Sequence, residues 1–363
     1  MIGMHRTYQL KKIEYLILFT IAFFIIPIFI QNCSDSRKSS SASEVFIELS
    51  ENTILISESD ANILSDISIY DSFVDQYGDF YFSDFYSRCI VKTQPPFENY
   101  TQVGENGTGP GEYAAPAHID IYGNSLFYSD NAVPLIKSMA VNDNEEYIAL
   151  NIPVMSGGLR LAADDSHFVY YDMNRNFITY YNLSDNGAGD SLRINIELNG
   201  DYDINNRLNG GGIQIYKNRI YAIPVAPYSI FSYEIDSKSE KVQISPSAEE
   251  NLEHLLGVVS WSGDLNNQLQ KHRGSARKEI ELFNSFTPVW NFDIIESDER
   301  RFFLVTLKKP SGKIFQLIDS EYNLVASLEM DATLVGYVND IIYFIEYDRE
   351  TDLQYLKLYK LNI

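Results

Sequence analysis

One strand pattern recurs along this chain, and it limits the fold more than any other feature. A run of five mostly β-branched or aromatic residues ends near an acidic residue, a polar turn follows, and a second strand opens on Ile. The copies are Phe80 to Asp84 with Ile90, Leu126 to Asp130 with Ile136, Phe168 to Asp172 with Ile178, and Ile220 to Pro224 with Ile230. In all four, the Ile stands six residues beyond the end of the first run. Two looser copies are Phe302 to Thr306 with Ile314 and Ile342 to Glu346 with Leu356. Short, dense runs of such residues between Gly, Asn and Asp turns read as antiparallel strands. The Ile and Leu markers are spaced by 46, 42, 52, 84 and 42 residues. A period of this size with several strands per unit predicts a six-bladed β-propeller, an all-β ring of four-stranded sheets. No blade can cover both of its faces alone, so neighbours must stack and the ring must close.

The hydrophobic content of 45%, with 13% aromatic residues, is enough to fill the cores of such a ring. The 84-residue interval has room for a seventh blade. Residues 247–285 lack strand character, however: Ser247 to Leu256 and Leu265 to Phe283 are rich in helix formers. The expectation is therefore a helical insertion near 247–285 on one blade. The last unit shows three strands, near 333–338, 341–347 and 353–361. Val45 to Leu49 and Thr53 to Ile56 precede the first unit and can supply its missing outer strand. A clasp of this kind removes an open sheet edge.

Ahead of the ring the composition changes. Arg6, Lys11 and Lys12 precede Tyr15 to Ile30, an uncharged and almost wholly apolar run of 16 residues. A basic segment followed by a short apolar one is the pattern of an export signal. The run is shorter than the ~20 residues a membrane span needs. It leads into Ile30, Gln31, Asn32 and Cys33, which resembles the lipobox of bacterial lipoproteins, although Asn32 is larger than that pattern prefers. The resemblance implies acylation of Cys33. Ser34 to Ser43 (SDSRKSSSAS) reads as a flexible tether. The expected domains are a signal over 1–32, a tether over 33–44 and the propeller over 45–363.

Val103, Gly104, Gly107, Gly109, Pro110, Gly111, Glu112 and Tyr113 lie between the first two units, with Pro116 and Ile119 after them. This stretch resembles the Gly-rich linker of NHL-type propellers, and the Asp-to-Ile spacing of the first three units resembles the same repeats. With its export signal, the chain is similar to the six-bladed β-propeller lipoproteins of Bacteroidetes-type bacteria. The resemblance covers roughly 45–363. It implies a monomer lipid-anchored in the cell envelope, and no common activity. Some similar propellers are metal-dependent lyases or hydrolases with their ligands on inner strands.

Charge excludes one large class of function. The chain has 28 Lys and Arg against 50 Asp and Glu, a net charge of −22. Removing 1–32 takes away three basic residues and Glu14, which leaves 25 against 49, or −24. Such a body has no broad phosphate-neutralising surface, so nucleic acid is not an expected partner. Nor would it adhere to anionic lipid, and membrane contact is left to the anchor.

The chemical motifs are sparse. The Gly-rich run lacks the Lys-Ser/Thr of a phosphate loop and reads as a tight turn. Asp84, Asp130, Asp172 and Glu346 recur in one register, where a carboxylate caps the following turn. Asp185 to Leu192 reads as a hairpin turn, and Asn142 to Glu146 lacks the spacing of a calcium loop. Two cysteines and five histidines leave little for a Cys/His metal centre. Cys89 reads as a buried thiol, and His167 sits at a turn. Twelve residues before the repeated acidic position stand Ser72, His118, Arg160 and Gly212. His118 and Arg160, with Asp120 on the same strand face as His118, are the candidate ligand-binding residues of the channel. No catalytic constellation stands out. The expected function is a non-catalytic binding or scaffold propeller for an envelope protein or carbohydrate, without a cofactor. The competing reading is a Ca²⁺- or Zn²⁺-dependent lyase or hydrolase at the channel mouth, using His118 and Asp120.

Overall fold

The central strand of each repeat alternates apolar side chains to its left and right, and both sides are buried. Successive strand residues point to opposite faces, so Phe80 and Phe82 enter one core while Tyr81 enters the next. Leu126 and Tyr128 likewise face one neighbour and Phe127 the other. A strand covered on both faces must lie between two other sheets, and this repeats around the ring.

The computed structural model describes residues 42–363, except 51–53, 56–68, 143–146, 155–158, 173–176, 184–191, 196–209, 237–242, 253–254, 256–287, 310–311, 349–352 and residues 76, 85, 96, 98, 110 and 227. Strands β1 (Phe46–Glu48) and β2 (Ile54–Leu55) come first. Blade 1 follows with β3 (Ile69–Val74), β4 (Phe80–Asp84), β5 (Cys89–Thr93) and β6 (Tyr100–Gln102). A short parallel ribbon, β7 (Glu105–Asn106) and β8 (Glu112–Tyr113), leads to blade 2. Blade 2 comprises β9 (Pro116–Tyr122), β10 (Ser125–Asp130), β11 (Leu135–Ala140) and β12 (Asn151–Pro153). Blade 3 comprises β13 (Leu159–Ala163), β14 (His167–Asp172), β15 (Phe177–Asn182) and β16 (Leu192–Asn195). Blade 4 comprises β17 (Gly212–Tyr216), β18 (Arg219–Ile223), β19 (Ser229–Asp236) and β20 (Gln243–Asn251). Blade 5 comprises β21 (Val289–Ser297), β22 (Arg300–Lys309), β23 (Gly312–Asp319) and β24 (Leu324–Met330). Blade 6 has β25 (Ala332–Val338), β26 (Ile341–Asp348) and β27 (Leu353–Leu361). Within every blade the strands pair antiparallel in chain order.

Six apolar cores lie between the six blades, one at each junction. Tyr81 and Ile90 of blade 1 pack with Leu126 and Tyr128 of blade 2. The series continues round to the junction where Val335, Ile345 and Leu356 of blade 6 meet Phe80, Phe82 and Val91 of blade 1. The ring is therefore closed and six-bladed. The clasp is as the sequence predicts: β1 pairs with β27 through Phe46 and Leu361, and β2 pairs with β27 through Ile54 and Leu356.

One expectation is overturned. Residues 247–251, expected in a helix, belong to β20, which pairs with β19 along its length. The pairing shifts register between Ser232 and Tyr233, beside Pro246. An outer strand tolerates both the bulge and a residue without an N–H. Helix formers such as Ala248 and Glu249 express only a weak local preference, and the cross-strand ladder overrides it. Residues 256–285 of the expected insertion lie outside the described residues.

Two of the recurrent acidic residues, Asp84 and Asp130, cap turns, whereas Glu346 lies inside β26 and pairs with Lys357 at 2.6 Å. Asp84 Oδ1 accepts the N–H groups of Tyr86 and Ser87 at 2.8 and 2.9 Å. Asp130 accepts four, from Ala114, Ala115, Ala132 and Val133, and so joins the incoming linker to the outgoing turn. The Gly-rich linker also has an internal purpose. The Lys137 ammonium takes the carbonyls of Thr108, Gly109 and Glu112, so that loop coordinates a lysine and presents no anion cradle. Gly104 has φ +75°, and a Cβ there would meet Met139 Sδ at 2.7 Å.

The clasp can be tested directly. Phe46 is buried against the core between blades 5 and 6. Phe46→Ala is expected to cost about 3 kcal/mol in denaturant unfolding, with an unchanged β-sheet circular dichroism spectrum. A loss under about 1 kcal/mol would mean that the clasp contributes little to holding the ring.

Candidate functional site at the central channel

The inner strands β3, β9, β13, β17, β21 and β25 surround the axis, and three of them carry the polar groups that cross it. His118 on β9 is buried, with Nδ1 3.1 Å from Asp71 Oδ2 on β3. Arg160 on β13 places Nη1 2.5 Å from the His118 ring nitrogens. Its Nε donates to Gly211 O at 3.1 Å and its Nη2 to Trp290 O at 3.3 Å. Ser72 Oγ donates to Leu334 O at 3.4 Å, which brings in blade 6. All six blades are thus tied by one polar chain across the axis. The network assigns the imidazole as neutral, with Nδ1–H donating to Asp71 and Nε2 accepting from Arg160.

The electrostatics agree with this assignment. Burial, and then the Arg160 guanidinium, push His118 down to about 4 despite Asp71 beside it. Burial alone would raise Asp71, but the hydrogen bond and charge of its partners and the Ile119 N–H hold it below its ordinary value. Asp71 is therefore an anion facing a permanent cation, with a neutral imidazole between them.

This partition separates two cavities, and Asp71, Ser72, Arg160, Asn291 and Leu334 line both. At the end where the inner strands finish, a cavity of about 240 Å³ holds Asp120, Gln214, Asp293 and Tyr337. Asp120 Oδ2 accepts Ala163 N–H at 2.7 Å. Asp293 takes weaker contacts from Asn291 Nδ2 at 3.3 Å and Gln214 Nε2 at 3.5 Å. Burial pushes Asp120 up to about 8 against the N–H groups of Ala163 and Ile121, with Asp71 and Asp293 adding to the rise. Burial and Asp71 push Asp293 up to about 7, and Arg160 opposes them. At the end where the inner strands begin, a cavity of about 270 Å³ holds Tyr70, Trp290, Thr306, Lys313 and Thr333.

The three candidates read from the sequence all face the channel. His118 and Arg160 meet, while Asp120 lies on the far side of the partition, in the acidic cavity. Asp71, Asp293, Lys313 and Thr306 were not singled out. Counting back from the repeated acidic residue marks Ser72, but pairing slips between Ile69 and Asp71, so Asp71 also turns to the axis. A second slip between Val289 and Asn291 does the same on blade 5. Bulges of one residue leave no composition signal.

Among the described residues, one set of His, Cys, Asp and Glu groups has ligand atoms within 4.8 Å of one another: Asp164, Asp165 and His167. Asp164 Oδ1 already accepts the N–H groups of Ser166 and His167, and its Oδ2 lies 3.0 Å from His167 Nδ1, so the set is a capped turn. The channel carboxylates do not gather in this way. Cys89 is half-buried, and burial raises its thiol above the ordinary value, the opposite of what a nucleophile needs. Residues 143–146 and 184–191, which contain most of the two Asp- and Asn-rich turns, lie outside the described residues.

No protein-family model and no curated protein matches the chain. Among solved structures, a protein described as exported from Bacteroides fragilis covers 90% of this chain and 98% of its own, at 11% identity and a TM-score of 0.52. A DUF4221 family member from Bacteroides vulgatus covers 88% and 99%, at 12% identity and a TM-score of 0.48. Virginiamycin B lyase from Staphylococcus aureus covers 86% and 99%, at 11% identity and a TM-score of 0.45. At these identities the likeness is one of fold.

The raised carboxyls give the channel a pH signature. Asp120 ionises near 3.8 when unfolded and near 8 when folded. Its contribution to stability is complete below the lower value and is lost as pH rises through the upper one. Asp293 behaves alike through about 7. His118 has the opposite sign: its contribution is present above 6.5 and is lost as pH falls toward 4. Asp120→Asn keeps an acceptor for Ala163 but cannot ionise. Its melting temperature is expected to fall less than that of the parent between about pH 4 and pH 8, and the two should converge below about pH 4. Parallel curves would show that Asp120 is ionised throughout.

Proposed function

We propose that this protein is an exported, lipid-anchored propeller that binds an envelope protein or carbohydrate and performs no chemistry of its own. The observation that carries this reading is the engagement of the Asp71, His118 and Arg160 side chains. Each is committed to another of the three or to a backbone group of an adjoining blade. A general base needs a lone pair within reach of a substrate proton. The lone pair of His118 faces a guanidinium, and its N–H faces a carboxylate. The same groups make a rigid cross-brace, which suits a scaffold whose binding surfaces must hold their shape.

The envelope location rests on the basic and apolar N-terminal segment, on Cys33 and on the Ser-rich tether. A fold shared with a Bacteroides fragilis protein described as exported supports it. The acidic body favours attachment through the anchor, because anionic lipid repels it.

Two measurements test the reading. Cys33→Ser in the full chain is expected to abolish palmitate labelling and move the protein from the membrane fraction to the soluble one. Continued unlabelled membrane association would replace the lipid with an uncleaved helix. Elemental analysis of the purified protein is expected to find no stoichiometric calcium or zinc. A stoichiometric ion that disappears in His118→Ala or Asp120→Ala would favour a metal-dependent lyase or hydrolase instead.

A further inference from the structure

Exposed aromatic residues are not spread evenly over this ring. Among the described residues six tyrosines are exposed, Tyr70, Tyr77, Tyr86, Tyr100, Tyr122 and Tyr147, and all lie on blades 1 and 2. Four of them stand at the end where the inner strands finish. Tyr77 is in the β3–β4 turn, and its N–H donates to Asp75 Oδ1 at 2.9 Å. Tyr100 opens β6, directly opposite Thr93 at the end of β5. These two turns are tied together, because Asp79 accepts from Gln94 and pairs with Lys92 at 2.6 Å. Tyr122 closes β9, opposite Ser125. The Ser125 hydroxyl accepts the Ile148 N–H at 2.7 Å, which brings the adjoining Tyr147 to the same end of blade 2.

The charge at this end is one-sided. The segments that join strand ends there in blades 1, 2 and 3 are 75–79, 94–99, 123–124, 141–150, 164–166 and 183–191. Their sequences contain ten acidic residues and neither Lys nor Arg. The hairpin segments at the opposite end of the same blades, 85–88, 131–134 and 173–176, contain two arginines and no acidic residue. Burial, and then the charges of Asp165 and Asp164, raise the Tyr122 phenol, so carboxylates border that ring. Asp165 is itself exposed. Tyrosine supplies rigid contact area at low entropic cost, and exposed apolar patches rimmed by polar groups mark interaction sites. A cation over the face of a tyrosine is attracted by the ring quadrupole as well as by nearby carboxylates.

We propose that this end of blades 1 and 2 docks a Lys- or Arg-rich segment of an envelope protein, its cations lying between the tyrosine rings and the carboxylates of the turns. The inference deepens the protein-binding reading above and rests on it. Charge complementarity selects the occupant. An anionic glycan or an anionic lipid surface is repelled by the acidic segments. A neutral glycan can stack on tyrosine but gains nothing from their charge. A basic segment gains from both, and the attraction also speeds its encounter with the face.

The test is a calorimetric titration of the full-length protein with a synthetic peptide of alternating Lys and Gly, its Glu-Gly counterpart and the neutral sugar cellohexaose. The Lys peptide is expected to bind with a Kd below about 0.1 mM at low salt, and the other two at least about tenfold more weakly. Tyr77→Ser combined with Tyr122→Ser should weaken the Lys peptide about tenfold or more. Asp165→Asn should weaken it about threefold. Tyr86→Ser is the control: Tyr86 is 81% exposed, in the β4–β5 turn at the opposite end, and its loss should leave the affinity unchanged. All of these side chains are on the surface, so the melting temperatures should stay at the parent value, which separates lost docking from misfolding. Failure of the Lys peptide to bind, an equal loss in Tyr86→Ser, full affinity in the paired tyrosine variant, or tighter binding of cellohexaose would each overturn the proposal. Absent peptide binding in a palmitate-labelled, metal-free protein removes this face and leaves the anchored scaffold intact. A stoichiometric ion lost in His118→Ala, with peptide binding preserved, does the reverse.

Discussion

A blade of this protein has two apolar faces and no core of its own. Everything else in the architecture answers that constraint. The central strands β4, β10, β14, β18, β22 and β26 send alternate side chains into two different cores, so removing any neighbour would expose half of a strand's apolar surface. An open stack would leave one such face at each end. The ring removes both ends, and β1 and β2 cover the outer edge that the three strands of blade 6 would otherwise present. Aromatic residues are abundant because each junction is a separate core that needs its own large side chains, such as Phe315 and Phe344, whose rings meet edge to face at 4.6 Å.

Closure of a ring leaves an axial space, and its polar lining follows from the same geometry. Here Asp71, His118 and Arg160 bridge it, and their pairing keeps a buried guanidinium and a buried carboxylate together. Such a bridge is weak evidence for stability by itself, because desolvation offsets much of the attraction. Its clearer effect is to divide the channel into an acidic half with Asp120 and Asp293 and a half dominated by Lys313.

The parts of this design that were legible in the sequence are those repeated in it. The Asp84, Asp130 and Asp172 register, the Ile markers and the six units depend on local turn chemistry and two-fold strand alternation, which any copy displays. The clasp was legible because one unit lacked a strand and spare strands lay ahead of the first. What escaped depends on single irregularities. A bulge after Ile69 turned Asp71 to the axis, and another after Val289 changed which blade 5 residues line the channel. The pairing of β20 with β19 overrode a segment whose composition favours a helix. Lys313 and Lys308 belong together only across a hairpin, and neither breaks the strand pattern. His118 and Arg160 were visible because they interrupted a small or apolar series, yet their partner Asp71 was hidden one residue out of step.

The clasp has a consequence for how the chain must be made. Phe46 pairs with Leu361, so the first strand of the ring waits for the last. Until β27 has left the ribosome, blade 1 lacks its full partner on one side and the aromatic face of Phe80 and Phe82 stays open to water. Contacts between residues so distant in sequence form slowly, and exposed strand edges invite pairing with other chains. A ring built this way stays unclosed until the last strand has been made. Its assembly then depends on whatever shields that face during the interval.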